Sequence, residues 1–405
     1  MACNHYLTAR EAAATLGISP ATLYAYVSRG LIRSEADGKS RRRRYHLEDI
    51  QVLKERQEQR KNPQKVAEGA LHWGAPVMES AITLIADGRF YYRGYDAIEL
   101  AQTHTVEQMA GLIWSGQLAP TEKPPAGLVL SPRLHAMREA VADLWPLEMF
   151  QILLPIAAVD DLAAYDLRLP AVGQTGLRIL RLLAAIAVGQ EPGEEGIATT
   201  LQQGWVPSDP QAATYLNTAL VLCADHEFNV SAFTARCIAS AGTTPYAVVL
   251  AGLAALQGSK HGGHTARVEA LLQEVGTPQR AREAIAARLR RGEILPGFGH
   301  RLYPDGDPRA TALMQLANQA RPDAPEVALA NAVQRDVFDI IGEHPNVDFG
   351  LATLGRALHL PAGGAMALFA IGRTIGWIGH AMEQYQEDRL IRPRARYVGE
   401  LPTSH

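Results

Sequence analysis

The sequence predicts a mainly all-α fold preceded by a small winged helical head. Three observations lead there. From about Ala70 the apolar residues recur at helical spacing with few period-two alternations. The first sixty residues carry a helix–turn–helix pattern and then a basic, strand-like run. Charge divides at the same place: residues 1–64 hold 12 Lys and Arg against 7 Asp and Glu, a net of +5, while the remainder holds 27 against 35, a net of −8. A basic head on an acidic body implies an anionic partner for the head.

In the head, residues 8–16 read as a first helix, 17–19 as a tight turn and 20–29 as a second helix capped by Ser19 with Pro20 in its first position. Ala12, Ala13, Leu16, Ile18, Leu23 and Val27 make the inward face; Ala21, Thr22, Ala25 and Tyr26 lie outward. A hairpin turning near Asp37-Gly38, a basic strand and a third helix from about Leu47 follow. This order resembles the winged helix-turn-helix of MerR-type and excisionase-like proteins. The resemblance implies duplex DNA as a partner, with Arg41, Arg42, Arg43 and Arg44 beside phosphates and Thr22 and Tyr26 toward bases. A protein-interaction module is the competing reading of the same basic face.

Polar residues with Pro63 mark a linker at 63–70. Beyond it, Asp87-Gly88 signals a short hairpin before a capped helix entry, Pro-rich turns are expected at 120–125, and helices near 132–144 and over 175–188. The longest apolar-rich runs, 247–256 and 182–188, fall short of the roughly 20 residues a membrane span needs, so none is expected. The N-terminus lacks a secretory pattern, and the three cysteines, Cys3, Cys223 and Cys237, have no ligand spacing. A reducing cytoplasm and no metal site are the expectation.

Chemistry concentrates at three breaks between helical stretches: SKHGGH around His261, LPGFGHRLYPDGDPR around His300 and HPNVDF around Asp348. A carboxylate and two imidazoles can take a proton from a weak carbon acid, stabilise the resulting enol and protonate an acceptor carbonyl. Taken singly, Asp348 also suits a helix cap and each histidine suits a loop hydrogen bond. With ADHEFNVSAFTAR at 224–236 and IRPRARYVG near the C-terminus, the ordered set resembles the citrate synthase family.

That resemblance implies a large helical domain, 71–260 with 356–405, and an inserted small helical domain, 261–355, behind a head at 1–62. It implies Asp348 as base, His261 as donor to the enol oxygen and His300 as donor to the second substrate's carbonyl. An oxaloacetate cage would comprise His226, Arg309 and Arg373, with Arg392 reaching the partner site of a homodimer. Gly297, Phe298, Gly299 and Arg301 are candidates to meet the coenzyme A moiety, because a flexible turn with exposed backbone N–H groups and a cation suits a nucleotide phosphate. No cofactor is implied, the coenzyme A thioester being a substrate. For Arg373 a pair with Glu383 or Glu387 competes, since a buried guanidinium needs a partner. The implied reaction condenses an acyl-CoA, acetyl-CoA in first place, with oxaloacetate. A 2-methylcitrate synthase using propionyl-CoA, or a DNA-binding regulator sensing metabolites through the same fold, are the alternatives. One departure stands out: the family's L-H-G-G-A-N reads Lys260-His261-Gly262-Gly263-His264-Thr265 here, and Lys260 should disfavour a charged His261.

Overall fold

The computed structural model describes residues 6–36, 43–47, 49–50, 53–54, 78–118, 130–262, 264–395 and 397–400. The linker at 63–70, the Asp37-Gly38 turn, Arg41, Arg42, Cys3 and the Pro-rich turns at 120–125 lie outside them. Two compact units divide between Glu79 and Ser80.

In the first unit, α1 (Ala9–Leu16) begins at a capping box in which Thr8 and Glu11 satisfy each other's end groups. Gly17 ends it in the left-handed conformation. The Ser19 side chain caps α2 (Pro20–Ser28), and residues 47, 49, 50, 53 and 54 are helical. Three strands, β1 (Tyr6–Thr8), β2 (Ser34–Ala36) and β3 (Arg43–His46), pair antiparallel in the order β1-β3-β2. Strand β1 was not anticipated. Ala12, Leu16, Leu23, Ile32, Tyr45 and Ile50 form the core. The expected outward face needs one correction. Tyr26 packs against that core, and Tyr24 is the exposed aromatic of α2.

The second unit opens with β4 (Thr83–Ala86), β5 (Arg89–Tyr92) and β6 (Tyr95–Asp96), a small antiparallel sheet. Asp87 and Gly88 both take positive φ between β4 and β5, as a two-residue hairpin turn demands. Then come α3 (Ala97–Thr103), α4 (Val106–Ser115), α5 (Pro132–Ala140), α6 (Pro146–Asp160), α7 (Leu169–Val188), α8 (Ile197–Trp205), α9 (Ala212–Leu222), α10 (Val230–Ala239) and α11 (Pro245–Leu256). After His261 follow α12 (His264–Val275), α13 (Ala281–Arg290), α14 (Pro308–Ala320), α15 (Pro325–Ile341), α16 (Val347–Ala357) and α17 (Gly364–Glu387). The fold is mainly all-α, as expected.

Helix α17 is the axis, buried over nearly its whole length against α7, α9, α10 and α11. Small residues let it come close. A Cβ on Gly376 would stand 2.4 Å from Asp225 Oδ1 and 2.5 Å from the Ala224 carbonyl, which instead accepts the Gly376 N–H at 2.9 Å. A second hydrophobic core, built from Val268, Leu272, Ile285, Val333, Val337 and Phe349, holds α12, α13, α15 and α16 together.

Among the described residues one helix, α7, is long and apolar enough to cross a membrane by length and composition alone, its 20 residues having a mean hydropathy of 1.4. The sequence reading counted only the run after Leu182, because Gly173, Gly176 and two arginines interrupt the earlier turns. Those arginines are spoken for: Arg178 pairs with Asp161 at 2.8 Å, and Arg181 Nη2 donates to the Glu194 carbonyl at 3.3 Å. The apolar face fills the core of the unit.

Candidate active site

The loop between α9 and α10 lies against α17 and supplies the first group, His226. Its Nε2 is 2.9 Å from the Tyr303 hydroxyl, and its ring stands edge-on to His300 with centroids 5.3 Å apart. Burial, then Arg309, Arg373 and His300, hold His226 well below the usual imidazole range, so it is neutral.

His300 follows two left-handed glycines, Gly297 and Gly299, and a third, Gly306, lies beyond it. Its Nδ1 accepts the Leu302 N–H at 3.2 Å, so the neutral ring carries its proton on Nε2 and can donate from there. Burial and Arg309 lower its pKa to about 4. The expected open phosphate-binding turn is instead clamped. Gly299 N–H donates to the His344 carbonyl at 2.8 Å, Asn346 N–H to the Gly297 carbonyl at 2.9 Å, and Phe298 bridges to Pro345 and packs on Phe349. A cleft of about 460 Å³ adjoins it, lined by Gly299, His300, Arg301, Tyr303, Glu343 and His344 among others.

His261 ends a tight turn after α11, with Nε2 2.8 Å from the Ser231 hydroxyl. Its pKa falls to about 4 through burial first, then Arg373 and His264. The expected neutral ring is present, but the cause differs: burial, Arg373 and His264 hold it neutral, and Lys260 is exposed. Asp348 lies in the first turn of α16, where the cap is Asn346, whose side chain accepts the Asp348 N–H at 3.1 Å. That leaves the Asp348 carboxylate free of capping duty. Burial raises its pKa, against the Thr265 hydroxyl donating to Oδ1 at 2.6 Å and the attraction of His264 and Arg309.

Two guanidiniums complete the site. Arg309 is 2% exposed and held by both oxygens of Asp307, at 2.9 and 2.8 Å; burial opposes its charge and Asp307 more than offsets this. Arg373 is 1% exposed, and its Nε donates to the Cys223 carbonyl at 2.8 Å. The competing pair with Glu383 or Glu387 is not made. Both carboxylates go to Arg236, a fully buried residue that sequence reasoning passed over. Arg373 therefore has no ion pair among the described residues, and burial weakens its hold on its proton despite the attraction of Asp225. A buried guanidinium without a carboxylate lacks a counter-charge, which a bound anion could supply. Arg392 lies exposed in the segment after α17. Cys223 is a buried thiol pushed up to about 12 by burial, and Cys237 is half-buried.

Tyr303, Ser231, Thr265 and Asp307 were missed as site residues, although Tyr303 and Asp307 stand inside the quoted segment around His300. Also missed was a buried pair beneath the site, Asp225 and His380, at 3.1 Å. Asp225 directly precedes His226, which was the available signal.

The family model "Citrate synthase, C-terminal domain" matches residues 70–394, and a helix-turn-helix domain model matches 6–58. The chain belongs to the citrate synthase family. A citrate synthase of Haloferax volcanii is 32% identical over 362 residues, covering 81% of this chain and 94% of that one. A 2-methylcitrate synthase 2 of Corynebacterium glutamicum is 28% identical over 339 residues, 76% and 88% of the two chains. The fold matches the Thermoplasma acidophilum citrate synthase, solved as a ternary complex with carboxymethyl coenzyme A and oxaloacetate, at a TM-score of 0.71 and 23% identity over 82% of this chain and 96% of that one. This citrate synthase-family enzyme thus carries a helix-turn-helix domain ahead of its catalytic body.

Proposed function

We propose that the chain condenses an acyl-CoA, acetyl-CoA in first place, with oxaloacetate and then hydrolyses the thioester to citrate and free CoA. The carrying observation is the set of two neutral imidazoles and a part-buried carboxylate of raised proton affinity beside two buried guanidiniums, one of them unpaired. Asp348 takes a proton from the acyl α-carbon, and neutral His261 donates to the thioester oxygen as the enol forms. The enol carbon attacks the oxaloacetate ketone, whose oxygen takes the Nε2 proton of His300, while the enol oxygen returns its proton to His261 and the thioester carbonyl re-forms. Arg309, Arg373 and His226 hold the dicarboxylate, Arg373 bringing a charge that the fold leaves unmatched. Water then cleaves the thioester and CoA leaves as the thiol.

The segment 261–355, which contributes the second hydrophobic core, is the small domain of this reading, and Arg392 completes the site of a partner copy in a homodimer. Gly297, Phe298, Gly299 and Arg301 border the acyl-CoA side, offering surface more than free N–H groups. A reducing cytoplasm suits the free cysteines. Purified protein supplied with oxaloacetate and a panel of acyl-CoA esters should release free thiol, fastest with acetyl-CoA. Faster release with propionyl-CoA would make it a 2-methylcitrate synthase. Binding of both substrates with no thiol release would make it a sensor.

The helix-turn-helix match supports a second reading, that the head binds duplex DNA. Arg43 and Arg44 are exposed on β3, and Tyr24 is 55% exposed on α2. Thr22, whose hydroxyl lies 2.9 Å from that of Ser19, also borders the outer face. Full-length protein should bind duplex DNA with strong salt dependence. Replacing Arg41, Arg42, Arg43 and Arg44 with alanine should weaken every sequence alike and reduce the log–log salt slope by about 3 to 4, at roughly 0.9 per phosphate contact. Tyr24→Ala should alter sequence preference instead. No binding to any duplex in a randomised pool at low salt would make the head an interaction module.

A further inference from the structure

We propose that Thr265 is a positioning residue for proton abstraction: its hydroxyl fixes one oxygen of Asp348 so that the other is presented to the acyl α-carbon. The proposal rests on the reading of Asp348 as the base. Thr265 is fully buried, and its Oγ1 donates to Asp348 Oδ1 at 2.6 Å. It is the only hydrogen bond to that carboxylate among the described residues, so Oδ2 is left for substrate. A hydroxyl has one proton to donate, and here it goes to the carboxylate.

The placement follows from the turn that also carries His261. A Cβ on Gly262 would stand 2.4 Å from Leu256 Cδ1 and 2.6 Å from the Leu256 carbonyl, so only glycine lets the chain fold back there. The Thr265 N–H then closes onto the Gly262 carbonyl at 3.3 Å and α12 begins, packed against α16. One five-residue stretch thus supplies His261 and, four residues on, the hydroxyl that orients Asp348. These two side chains stand four residues apart, on either side of the Gly262 close approach. This is where the chain departs from the family pattern, with His-Thr in place of Ala-Asn, so the device belongs to this protein.

A hydrogen bond donated to a carboxylate favours its ionised, basic form and opposes burial. The other groups facing Asp348 are His264 from α12, Arg309 and Asp307 from the start of α14, and the neutral Cys223 thiol after α9. His264 and Arg309 attract the carboxylate and Asp307 repels it. None of them hydrogen-bonds it, so none substitutes for the orientation Thr265 gives.

The test uses the full-length enzyme and three substitutions. Thr265→Val keeps the shape and removes the donor. Thr265→Cys keeps a weak donor, and Thr265→Ser keeps a full one. Thr265→Val should lower kcat by about 10- to 100-fold, the loss expected when a hydrogen bond to a charged group goes. The KM for acyl-CoA should change little, and the acid limb of the kcat–pH profile should move to higher pH. Thr265→Cys should fall between, which keeps the test open should the valine variant fail to fold, and Thr265→Ser should restore the wild-type profile. Wild-type kcat and acid limb in Thr265→Val, or in Thr265→Cys if only that variant folds, would overturn the proposal, as would Thr265→Ser as impaired as Thr265→Val. An Asp348→Asn control separates the two ideas: if it retains activity the reading of the base fails, and if it is inactive while Thr265→Val is normal, only the role of Thr265 fails.

Discussion

Asp348→Asn should reduce CoA release by about 10²- to 10⁴-fold, the range lost when a positioned general base is removed. The side chains are the same size, and the asparagine oxygen can still accept from Thr265, so the thermal unfolding midpoint should stay within a few degrees of wild type. What is lost is the capacity to accept a proton. Because burial raises the Asp348 pKa, wild-type activity should also fall off on the acid side at a higher pH than a water-exposed aspartate would give. His261 and His300 do not set that limb. Both stay neutral down to about pH 4, held there by burial and neighbouring guanidiniums. Measuring thiol release from pH 4 upward in both proteins decides it. An asparagine variant within a few-fold of wild type would show that another group takes the proton.

The titratable residues were legible because each stands at a glycine- or proline-marked break, where neither a core nor a regular hydrogen-bond ladder explains it. The caps Thr8 and Ser19 and the Asp87-Gly88 turn were legible for a similar reason, each being a local rule met by adjacent residues. Helix α6 was not. It is apolar on most sides and carries Pro155 inside, so it shows no amphipathic period. Strand β1 is three residues long, and its role depends on pairing with β3 some forty positions away. Tyr24 and Tyr26 illustrate a rotation error: two aromatics two positions apart cannot share a helix face, and the pattern did not say which one faces in.

Pairings among buried charges were the least legible part. Arg236 and Arg373 both sit in apolar helical stretches, and composition offers Glu383 and Glu387 to either. Packing decides. Helices α10 and α17 bring Arg236 to those carboxylates, whereas Gly376 lets the 223–226 loop press onto α17 and gives Arg373 a backbone carbonyl instead. That Arg373 is left without an ion pair among the described residues is thus a consequence of tertiary packing.

His380→Leu should destabilise the protein by about 3–5 kcal/mol, the cost of leaving one member of a buried ion pair without its partner. The His380 ring is fully buried, with Nε2 3.1 Å from Asp225 Oδ1, and Phe228 covers its face at a centroid distance of 4.8 Å. Asp225 Oδ2 accepts from the Thr83 hydroxyl at 2.6 Å, and Glu383 stands 3.7 Å from His380 Nδ1. Burial disfavours the imidazolium, but Asp225 and then Glu383 outweigh it and raise the pKa to about 9. On the other side, burial opposes the Asp225 charge and His380 brings its pKa below the usual value. A raised histidine pKa contributes stability in full below the unfolded value near 6.5 and loses it as pH climbs through about 9. The depressed Asp225 contributes above its unfolded value, roughly 4, and loses it as pH falls through its folded pKa. Wild type should therefore lose stability between about pH 6.5 and 9 more steeply than His380→Leu, by an amount on the order of 3 kcal/mol. Adding Asp225→Asn to His380→Leu should recover part of the loss, since the orphaned charge is then removed. Denaturant unfolding at fixed protein concentration across that pH range measures all three proteins. Because Asp225 leads directly into His226 and attracts Arg373, the leucine variant should also bind oxaloacetate more weakly. Equal stability of wild type and His380→Leu at pH 6 would mean that the buried pair contributes nothing to holding the floor of the site.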